Sequence, residues 1–378
     1  MLLNTLLGFL ALVSLALTLW QWLAGWRFPL HQRVISGTTT QPVTLLKPLK
    51  GCDSSTEVCL RSWFEQQYGA DVQILFGVAS AEDPVCDVVR RLLAEFPKSD
   101  AELVVCGPLS GSNLKVAKLV ELERRARHST LVISDADVRV PPDFLANALA
   151  PLSAVEVGLV NCFYRLANPT TRAMQWEAVA INADFWSQVL QAQTLKPLDF
   201  ALGAVMITRR QLLSDIGGFA ALADCLADDY QLGSRIARRG HRIVLSSIVA
   251  ECWAAPMSWE QVWKHQLRWA RTIRVCQPLP YFFSILSNGT LWPLVWVACA
   301  PGRLSIGFAA VSWAIRVLTA LDLQARLEQT RLRLSRGWLV PLKDLLQIGL
   351  WALAFLGNRI EWRGVKMRLA RDGTLVRV

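Results

Sequence analysis

The run Leu131-Val132-Ile133-Ser134-Asp135-Ala136-Asp137 constrains this chain more than any other stretch. Three apolar residues, two of them β-branched, lead straight into two carboxylates at positions i and i+2. Such a run reads as a strand buried on both faces of a parallel sheet, and open α/β sheets bind ligands beyond the carboxyl ends of their strands. Two aspartates there suit one hard divalent cation, Mg2+ or Mn2+, which keeps coordination positions for the oxygens of a bound diphosphate. A solvated Asp-Ala-Asp turn is the competing reading, so the rest of the chain has to discriminate.

The flanking pattern supplies the sheet. Val43–Leu46 precedes a helical stretch over Thr56–Gln67, Val72–Val78 precedes Val85–Phe96, and Leu103–Val105 precedes Leu114–Arg127. After the Asp135 strand come a strand over Val157–Asn161, an amphipathic helix over Thr171–Gln193 and a strand over Ala204–Thr208. A helix over Asp228–Arg239 and a strand over Arg242–Ser247 follow. Strands alternating with helices predict an α/β fold, a mostly parallel sheet covered on both faces.

The two ends belong to a different solvent. Met1 to Trp26 carries no charged side chain, and Leu2 to Leu23 is long enough to cross a bilayer at roughly 20 residues per crossing. With no basic n-region before it and too long an apolar run for a cleaved signal, it predicts an anchor. Trp20, Trp22 and Trp26, followed by Arg27, His31 and Arg33, form an aromatic belt and a positive-inside flank. That flank puts the polar linker Ser36–Gln41 and the α/β region in the cytosol. Near the other end Val275–Gly302 is uncharged, and Leu304–Leu321 is interrupted by Arg316 alone. Arg316 either pairs inside the bundle or snorkels. Leu345–Gly357, preceded by Lys343 and Asp344, either crosses or re-enters. If it crosses, the tail with Arg359, Arg363, Lys366, Arg368 and Arg371 falls outside, against the charge rule.

Between these regions Trp259, Trp263 and Trp269 interleave with Lys264, Arg268, Arg271 and Arg274. This is the composition of a helix in the membrane interface, or of a surface helix packed on the domain. The expected plan is an anchor over residues 1–26, an α/β domain over 40–255 and an amphipathic helix over 256–275. A membrane cluster of two or three segments over 276–357 and a basic tail over 358–378 complete it. A net charge of +10 and sixteen tryptophans fit a protein at an anionic membrane surface, and no nucleic-acid-binding module is recognisable. Nine cysteines, an odd number without a C-x-x-C pair, read as reduced thiols in a cytosolic domain.

Acidic residues recur at strand ends and helix starts. Asp83 either caps the helix that follows or holds the base or ribose of a nucleotide. Asp228 and Asp229 open a helix; capping accounts for one of them and leaves a carboxylate suited to act as general base on an attacking alcohol. Lys47, in Lys47-Pro48-Leu49-Lys50-Gly51, and Lys115, two residues after Asn113, are placed either to reach a diphosphate or to stay solvated. Cations there would stabilise the charge that develops on a departing nucleoside diphosphate.

Taken in order, Asp83, Asp135-Ala136-Asp137, Asp228-Asp229-Tyr230 and His265-Gln266-Leu267-Arg268-Trp269 resemble the D, D, D, (Q/R)-x-x-R-W signature of the ceramide glucosyltransferase family, glycosyltransferase family 21. Its bacterial members include the hopanoid biosynthesis-associated glycosyltransferases. Lys47-Pro48-Leu49-Lys50-Gly51 and Val138-Arg139-Val140-Pro141-Pro142 are familiar companions, and the anchor and C-terminal cluster match the family's layout. The resemblance implies a GT-A fold, a Rossmann-like cytosolic domain on a membrane, here a bacterial inner membrane. It implies inverting transfer from a UDP-sugar, UDP-glucose or UDP-N-acetylglucosamine, to the hydroxyl of a membrane lipid, ceramide or a hopanoid polyol. In that reading Asp135 and Asp137 hold Mg2+ or Mn2+ on the diphosphate and Asp83 holds the uridine part. Asp229 deprotonates the lipid hydroxyl, Lys115 and Arg268 offset charge on departing UDP, and Trp269 presents the acceptor.

The family's Gln or Arg three residues before Arg268 is His265 here, with Gln266 displaced by one. The role of His265 stays open between diphosphate, acceptor and packing. Two rivals arise from the same motifs. A processive polysaccharide synthase has Gln at that position as the norm and needs a channel that three or four spans scarcely supply. A non-catalytic UDP-binding membrane protein has no use for intact Asp135, Asp137 and Asp229.

Overall fold

The computed structural model describes residues 1–33, 41–108, 110–362, 365–370 and 372–377. Residues 36–40 of the polar linker, and Arg363 and Arg371 of the tail, lie outside the described residues. The chain divides into two compact units. A helical unit comprises Met1–Pro29, Pro169–Lys196 and Pro256–Asp372; a sheet unit comprises Leu30–Asn168, Pro197–Ala255 and Gly373–Val378.

In chain order the elements begin with helix α1 (Leu2–Arg27), then β1 (Val43–Pro48), α2 (Thr56–Phe64), β2 (Val72–Val78), α3 (Val85–Glu95) and β3 (Asp100–Val105). Next come α4 (Leu114–Arg125), β4 (Thr130–Ser134), β5 (Val138–Arg139) and β6 (Val157–Leu166). Helices α5 (Arg172–Val179) and α6 (Trp186–Leu195) precede β7 (Val205–Arg209), α7 (Asp228–Ala237) and β8 (Arg242–Cys252). Finally come α8 (Trp259–Cys276), α9 (Arg303–Glu328), α10 (Leu339–Phe355), β9 (Arg359–Trp362) and β10 (Val365–Leu369).

The sheet unit has the expected α/β class. Its eight strands run β3-β2-β1-β4-β7-β6-β8-β5. Pairing is parallel from β3 to β4 and between β6 and β8, and antiparallel where β7 and β5 join their neighbours. Strands β1 and β4 are buried at every position, which is why apolar residues fill their centres, with Thr44, Lys47, Thr130 and Ser134 as buried polar positions. Edge strand β3 instead exposes Asp100 and keeps Glu102 at its rim; charge there discourages pairing with another chain. The antiparallel insertion of β7 brings two strand ends together. Val205 pairs with Ser134, so the residues entering β7 lie beside the residues leaving β4.

The helix expected over Thr171–Gln193 is α5 and α6 joined by a π-helical stretch, Ala180–Phe185, and it belongs to the helical unit rather than to the 40–255 domain. Helix α8 forms as expected, started by a reciprocal cap between Ser258 and Gln261. Its basic side is largely engaged by the tail. Lys264 pairs with Glu361 at 3.4 Å, Arg271 donates to the Arg359 carbonyl, and Arg274 donates to Asn358. The tail's β9 and β10 form an antiparallel hairpin.

Among the described residues three helices are long and apolar enough to cross a membrane: Leu2–Arg27, Arg303–Glu328 and Leu334–Phe355. The uncharged stretch Val275–Gly302 holds two helical pieces, Pro278–Ser287 and Leu291–Cys299, bent by 57°. The break falls at Asn288 and Gly289. A Cβ on Gly289 would sit 2.9 Å from the Arg316 side chain and 3.0 Å from Thr18 Oγ1. On α1 the outward Leu6, Phe9 and Leu12 are exposed, a surface suited to hydrocarbon rather than water.

Lys343 and Asp344, which precede the apolar stretch Leu345–Gly357, fall within the last apolar helix and are buried inside the helical unit. Arg316 donates to Asp184 at 3.0 and 2.9 Å and to Asp344 at 2.9 and 2.8 Å, while Lys343 pairs with Asp184. Thr290 Oγ1 donates to Asp344 at 2.7 Å. Two cations and two anions compensate one another, so a helix carrying them still belongs to an apolar bundle.

Candidate active site

The carboxyl edge of the sheet gathers three of the sequence-predicted residues. Asp135 and Asp137 occupy the short loop between β4 and β5. That loop is tied on both sides: Asp135 N–H donates to the Ala204 carbonyl at 3.2 Å, and the Asp137 carbonyl accepts from Trp253 N–H at 2.9 Å. Lys115, in the first turn of α4, pairs with Asp135 at 2.8 Å and with Asp228 at 3.0 Å. Burial works against its charge, but Asp135 and Asp228 outweigh it and raise its pKa. Lys115 therefore stands inside a carboxylate cluster as its counter-cation, neither solvated nor free.

Asn113 makes this possible. Its side chain caps α4 by accepting from Lys115 and Val116 N–H, and its amide donates to the Cys225 carbonyl at 2.8 Å. One residue thus fixes the start of α4 against the segment leading into α7. The Asp-Asp pair at the head of α7 divides its work accordingly. Asp228 is taken by Lys115, while Asp229 is pushed up to about 7 by burial and by the Asp228 carboxylate, against the pull of Lys115. A carboxyl poised there can take up and release a proton near neutral pH.

Two glycines that the sequence reading passed over shape the space around Asp229. A Cβ on Gly203 would lie 2.8 Å from Asp229 Oδ2. A Cβ on Gly233, on α7, would lie 2.3 Å from the Ala201 backbone nitrogen. The two substitutions have different expected results. Gly203→Ala pushes on the movable end of a side chain, so it should leave thermal stability nearly unchanged and lower activity on the order of 10²-fold. Gly233→Ala drives a methyl into backbone and should cost about 1–3 kcal/mol of stability. Thermal melts and initial rates on the two purified variants check both.

Two predicted ligand contacts are engaged elsewhere. Lys47 is wholly buried: its ammonium donates to Ser134 Oγ at 3.1 Å and to the Asp135 carbonyl at 2.7 Å, with the Trp63 ring centroid 5.0 Å away. Burial draws its pKa down to about 8, with Cys59, Asp137 and Asp135 opposing. It braces the aspartate loop, and its burial excludes the reading of a solvated surface lysine. The Asp83 carboxylate accepts from Gly51 N–H at 3.0 and 3.1 Å and from Val85 N–H at 3.1 Å. Asp83 thus caps the start of α3 and fastens the Lys50-Gly51 turn, where Gly51 has φ +71°. Capping, one of its two readings, accounts for these bonds.

His265, Arg268 and Trp269 lie on α8 in the helical unit. His265 Nδ1 is 2.6 Å from Glu177 Oε1, and the same oxygen accepts from Gln266 at 2.8 Å. The His265 and Trp269 rings meet edge to face at 5.1 Å. The Gln displaced by one residue in the motif therefore shares a partner with the His that replaced it. Glu177 was not foreseen; its only sequence signal is an acid alone among the apolar residues of α5.

Among the described residues no group of three or more His, Cys, Asp or Glu side chains stands ready to hold a metal. The two loop aspartates still fit a magnesium-type ion, because Asp137 is exposed, Asp135 is about a third exposed, and such ions take one or two carboxylates and complete their shell with water and phosphate oxygens. The Lys115 ammonium on Asp135 shows that this carboxylate already attracts a cation.

The chain matches the family model Glycosyl transferase family 21 over residues 6–375. It is 23% identical over 364 residues to ceramide glucosyltransferase 3 of Caenorhabditis elegans, covering 93% of this chain and 77% of that relative. Ceramide glucosyltransferase 1 of the same organism is 25% identical over 221 residues, 58% of this chain and 47% of the relative. Among solved structures, a mannosyltransferase from Pyrobaculum calidifontis in complex with GDP-Man and Mn2+ has the same fold. Its TM-score is 0.52 at 21% identity, over 89% of this chain and 99% of that one.

Proposed function

The chain belongs to glycosyl transferase family 21, and from that premise we propose that it moves a sugar from a UDP-sugar to the hydroxyl of a membrane lipid, with inversion at the sugar carbon. The observation that carries the reading is Asp229, a carboxyl pushed up to about 7 at the head of α7, in a cluster joined by Lys115 to the Asp135 loop. Asp229 accepts the proton of the lipid hydroxyl as its oxygen attacks the anomeric carbon, and the bond to the UDP oxygen breaks on the opposite face. UDP leaves with the bonding pair.

Asp135 and Asp137 would hold Mg2+ or Mn2+, which supplies Lewis-acid neutralisation of the diphosphate. Lys115, which pairs with Asp135 and Asp228, offsets the charge that develops on the departing phosphate. Arg268 carries the same role, Trp269 presents the acceptor, and Asp83 orders the turn that meets the uridine. The acceptor class is a lipid alcohol, ceramide or a hopanoid polyol, and the sugar is glucose or N-acetylglucosamine. The relatives named ceramide glucosyltransferase support a glycolipid product. The basic flank Arg27, His31 and Arg33 supports a cytosolic catalytic unit, in a bacterial inner membrane.

The test is radiolabel transfer with detergent-solubilised protein. Each UDP-sugar is offered with ceramide, diacylglycerol or bacteriohopanetetrol, with and without EDTA. A labelled lipid that disappears with EDTA is the expected result; a long labelled polymer, or UDP binding with no labelled lipid from any acceptor, would overturn the reading. Asp137→Ala should weaken UDP binding only when Mg2+ or Mn2+ is present, and calorimetric titrations with and without metal read this. Equal affinities for parent and variant in the metal titration would remove Asp137 from the metal role.

A further inference from the structure

Glu177 is expensive where it stands. It is 1% exposed, and its Oε2 is buried without a hydrogen-bond partner among the described residues. A carboxylate half satisfied in an apolar interior lowers stability relative to an apolar residue of similar volume. Its other oxygen takes two donors from α8, His265 Nδ1 at 2.6 Å and Gln266 Nε2 at 2.8 Å. Gln266 lies on the buried stripe of α8 with Val262 and Ala270, whereas the His265 side chain is 28% exposed. The imidazole is held on one edge by Glu177 and on its face by Trp269.

We infer that Glu177 is a positioning residue for the glycosyl transfer proposed above: it fixes His265 with the proton on Nδ1 and leaves Nε2 to accept a hydrogen bond from a substrate hydroxyl. In any imidazole the free nitrogen is defined by the bond that the other one makes. A carboxylate next to Nδ1 selects the Nδ1–H form, and Nε2 then has a lone pair to offer. That complements a hydroxyl, a donor, and not a fully ionised phosphate, which only accepts. The hydroxyl belongs either to the donor sugar or to the lipid, and the kinetics distinguish them. The inference rests on the transfer reading, but part of its test does not.

Glu177→Leu removes the unpartnered oxygen and the acceptor together, and Glu177→Gln keeps a carbonyl oxygen in place of Oε1. The leucine variant leaves the buried Gln266 amide without its acceptor, so its expected melting temperature is at or somewhat below the parent's, with kcat/KM down about 10- to 100-fold. The glutamine variant should recover most of that loss. A rise in KM for the UDP-sugar assigns the hydroxyl to the sugar, and a rise in KM for the lipid assigns it to the acceptor. Nitrogen-15 spectra of ring-labelled histidine, with the His265 signals identified by their loss in His265→Gln, should show Nδ1 protonated in the parent and no longer selectively so in Glu177→Leu. A leucine variant with parental kcat/KM, or unchanged His265 nitrogen signals, would overturn the assignment. If the parent transfers no sugar to any lipid, the transfer reading fails while the nitrogen spectra still decide the pair.

A separate set of contacts carries a second inference, on membrane topology. The start of α1 meets the second half of the bent pair: Trp296 Nε1 donates to Asn4 at 2.7 Å, and its ring lies 3.1 Å from where a Cβ on Gly8 would be. The end of α1 meets the end of α9: Trp22 donates to Asp322 at 2.8 Å, and Arg326 sits 5.8 Å from the Trp26 ring centroid. Helices α1 and α9 therefore run in the same direction, and the bent pair carries the chain to the level where α1 starts. Helix α6 packs at the end of α1 (Gln21 to Gln191 at 3.0 Å), and α5 holds α8 through Glu177. So α8 belongs to the side where α1 ends. The tail is fastened to α8 by Lys264 and Glu361.

From α8 to the tail the chain must cross the bilayer an even number of times. We infer that the bent pair and α9 are those two crossings, and that α10, though apolar enough to span, starts and ends on the catalytic side. This places both basic stretches, Arg326–Arg336 and the tail, on one face, as the charge rule prefers. Epitopes inserted after Gln329 and after Val378 in the full chain should both become accessible only on permeabilising spheroplasts. Accessibility of the two on opposite faces would overturn it.

Discussion

Asp229→Asn is expected to lower kcat for lipid glycosylation by about 10²- to 10⁴-fold while UDP binding stays within about twofold of the parent. Asparagine keeps the shape that Gly203 accommodates and loses only the ability to take a proton. The parent's rate should depend on pH with a definite sign. Asp229 works as a base only when ionised, and burial together with Asp228 pushes it up to about 7. Transfer should therefore rise as the pH climbs through about 7 and level off above it, whereas a carboxylate in its ordinary range would give a flat profile over the same interval. Initial rates from pH 5.5 to 9 on the parent, with UDP titrations on both proteins, check this. A variant that retains its rate removes Asp229 as the base.

Arg316→Leu is the other change with a large expected effect, on stability instead of chemistry. Removing the arginine leaves Asp184 and Asp344 buried with Lys343 as their one near cation among the described residues. Breaking a buried ion network by removing one partner costs about 3–5 kcal/mol, because the uncompensated charge stays in the interior. Removing Asp344 as well leaves the Lys343–Asp184 pair neutral, so Arg316→Leu with Asp344→Leu should be more stable than Arg316→Leu alone. Unfolding curves in detergent on the parent, Arg316→Leu, Asp344→Leu and the double variant measure the coupling. Additive losses would show that the four charges act independently.

The network also explains a limit of reading charges along a chain. Lys343 and Asp344 look like the edge of a membrane segment because hydropathy treats each charge as if it faced its solvent alone. Their partners Asp184 and Arg316 are far away in sequence, and long-range pairing makes the residues compatible with burial. The tail hairpin on α8 is a similar case: Lys264 and Arg271 have the spacing of a lipid-facing stripe, and the tail supplies groups that occupy part of it.

Local pattern alone determined the parallel strands β1, β2 and β4, the long apolar helix α1, the interruption by Asp135 and Asp137 at a strand end, and the ordered motifs that marked the family. These come from backbone pairing and burial, which impose periods of a few residues on any chain that satisfies them. The partner that each charged group meets came from long-range packing. That packing turned Lys47 inward, set Asp83 on backbone donors, divided Asp228 from Asp229, and recruited Asn113, Gly203 and Glu177, whose sequence neighbourhoods are ordinary. The physical reason is that a side chain's charge state and partners depend on desolvation and on groups brought close by the fold, and neither quantity has a period along the sequence.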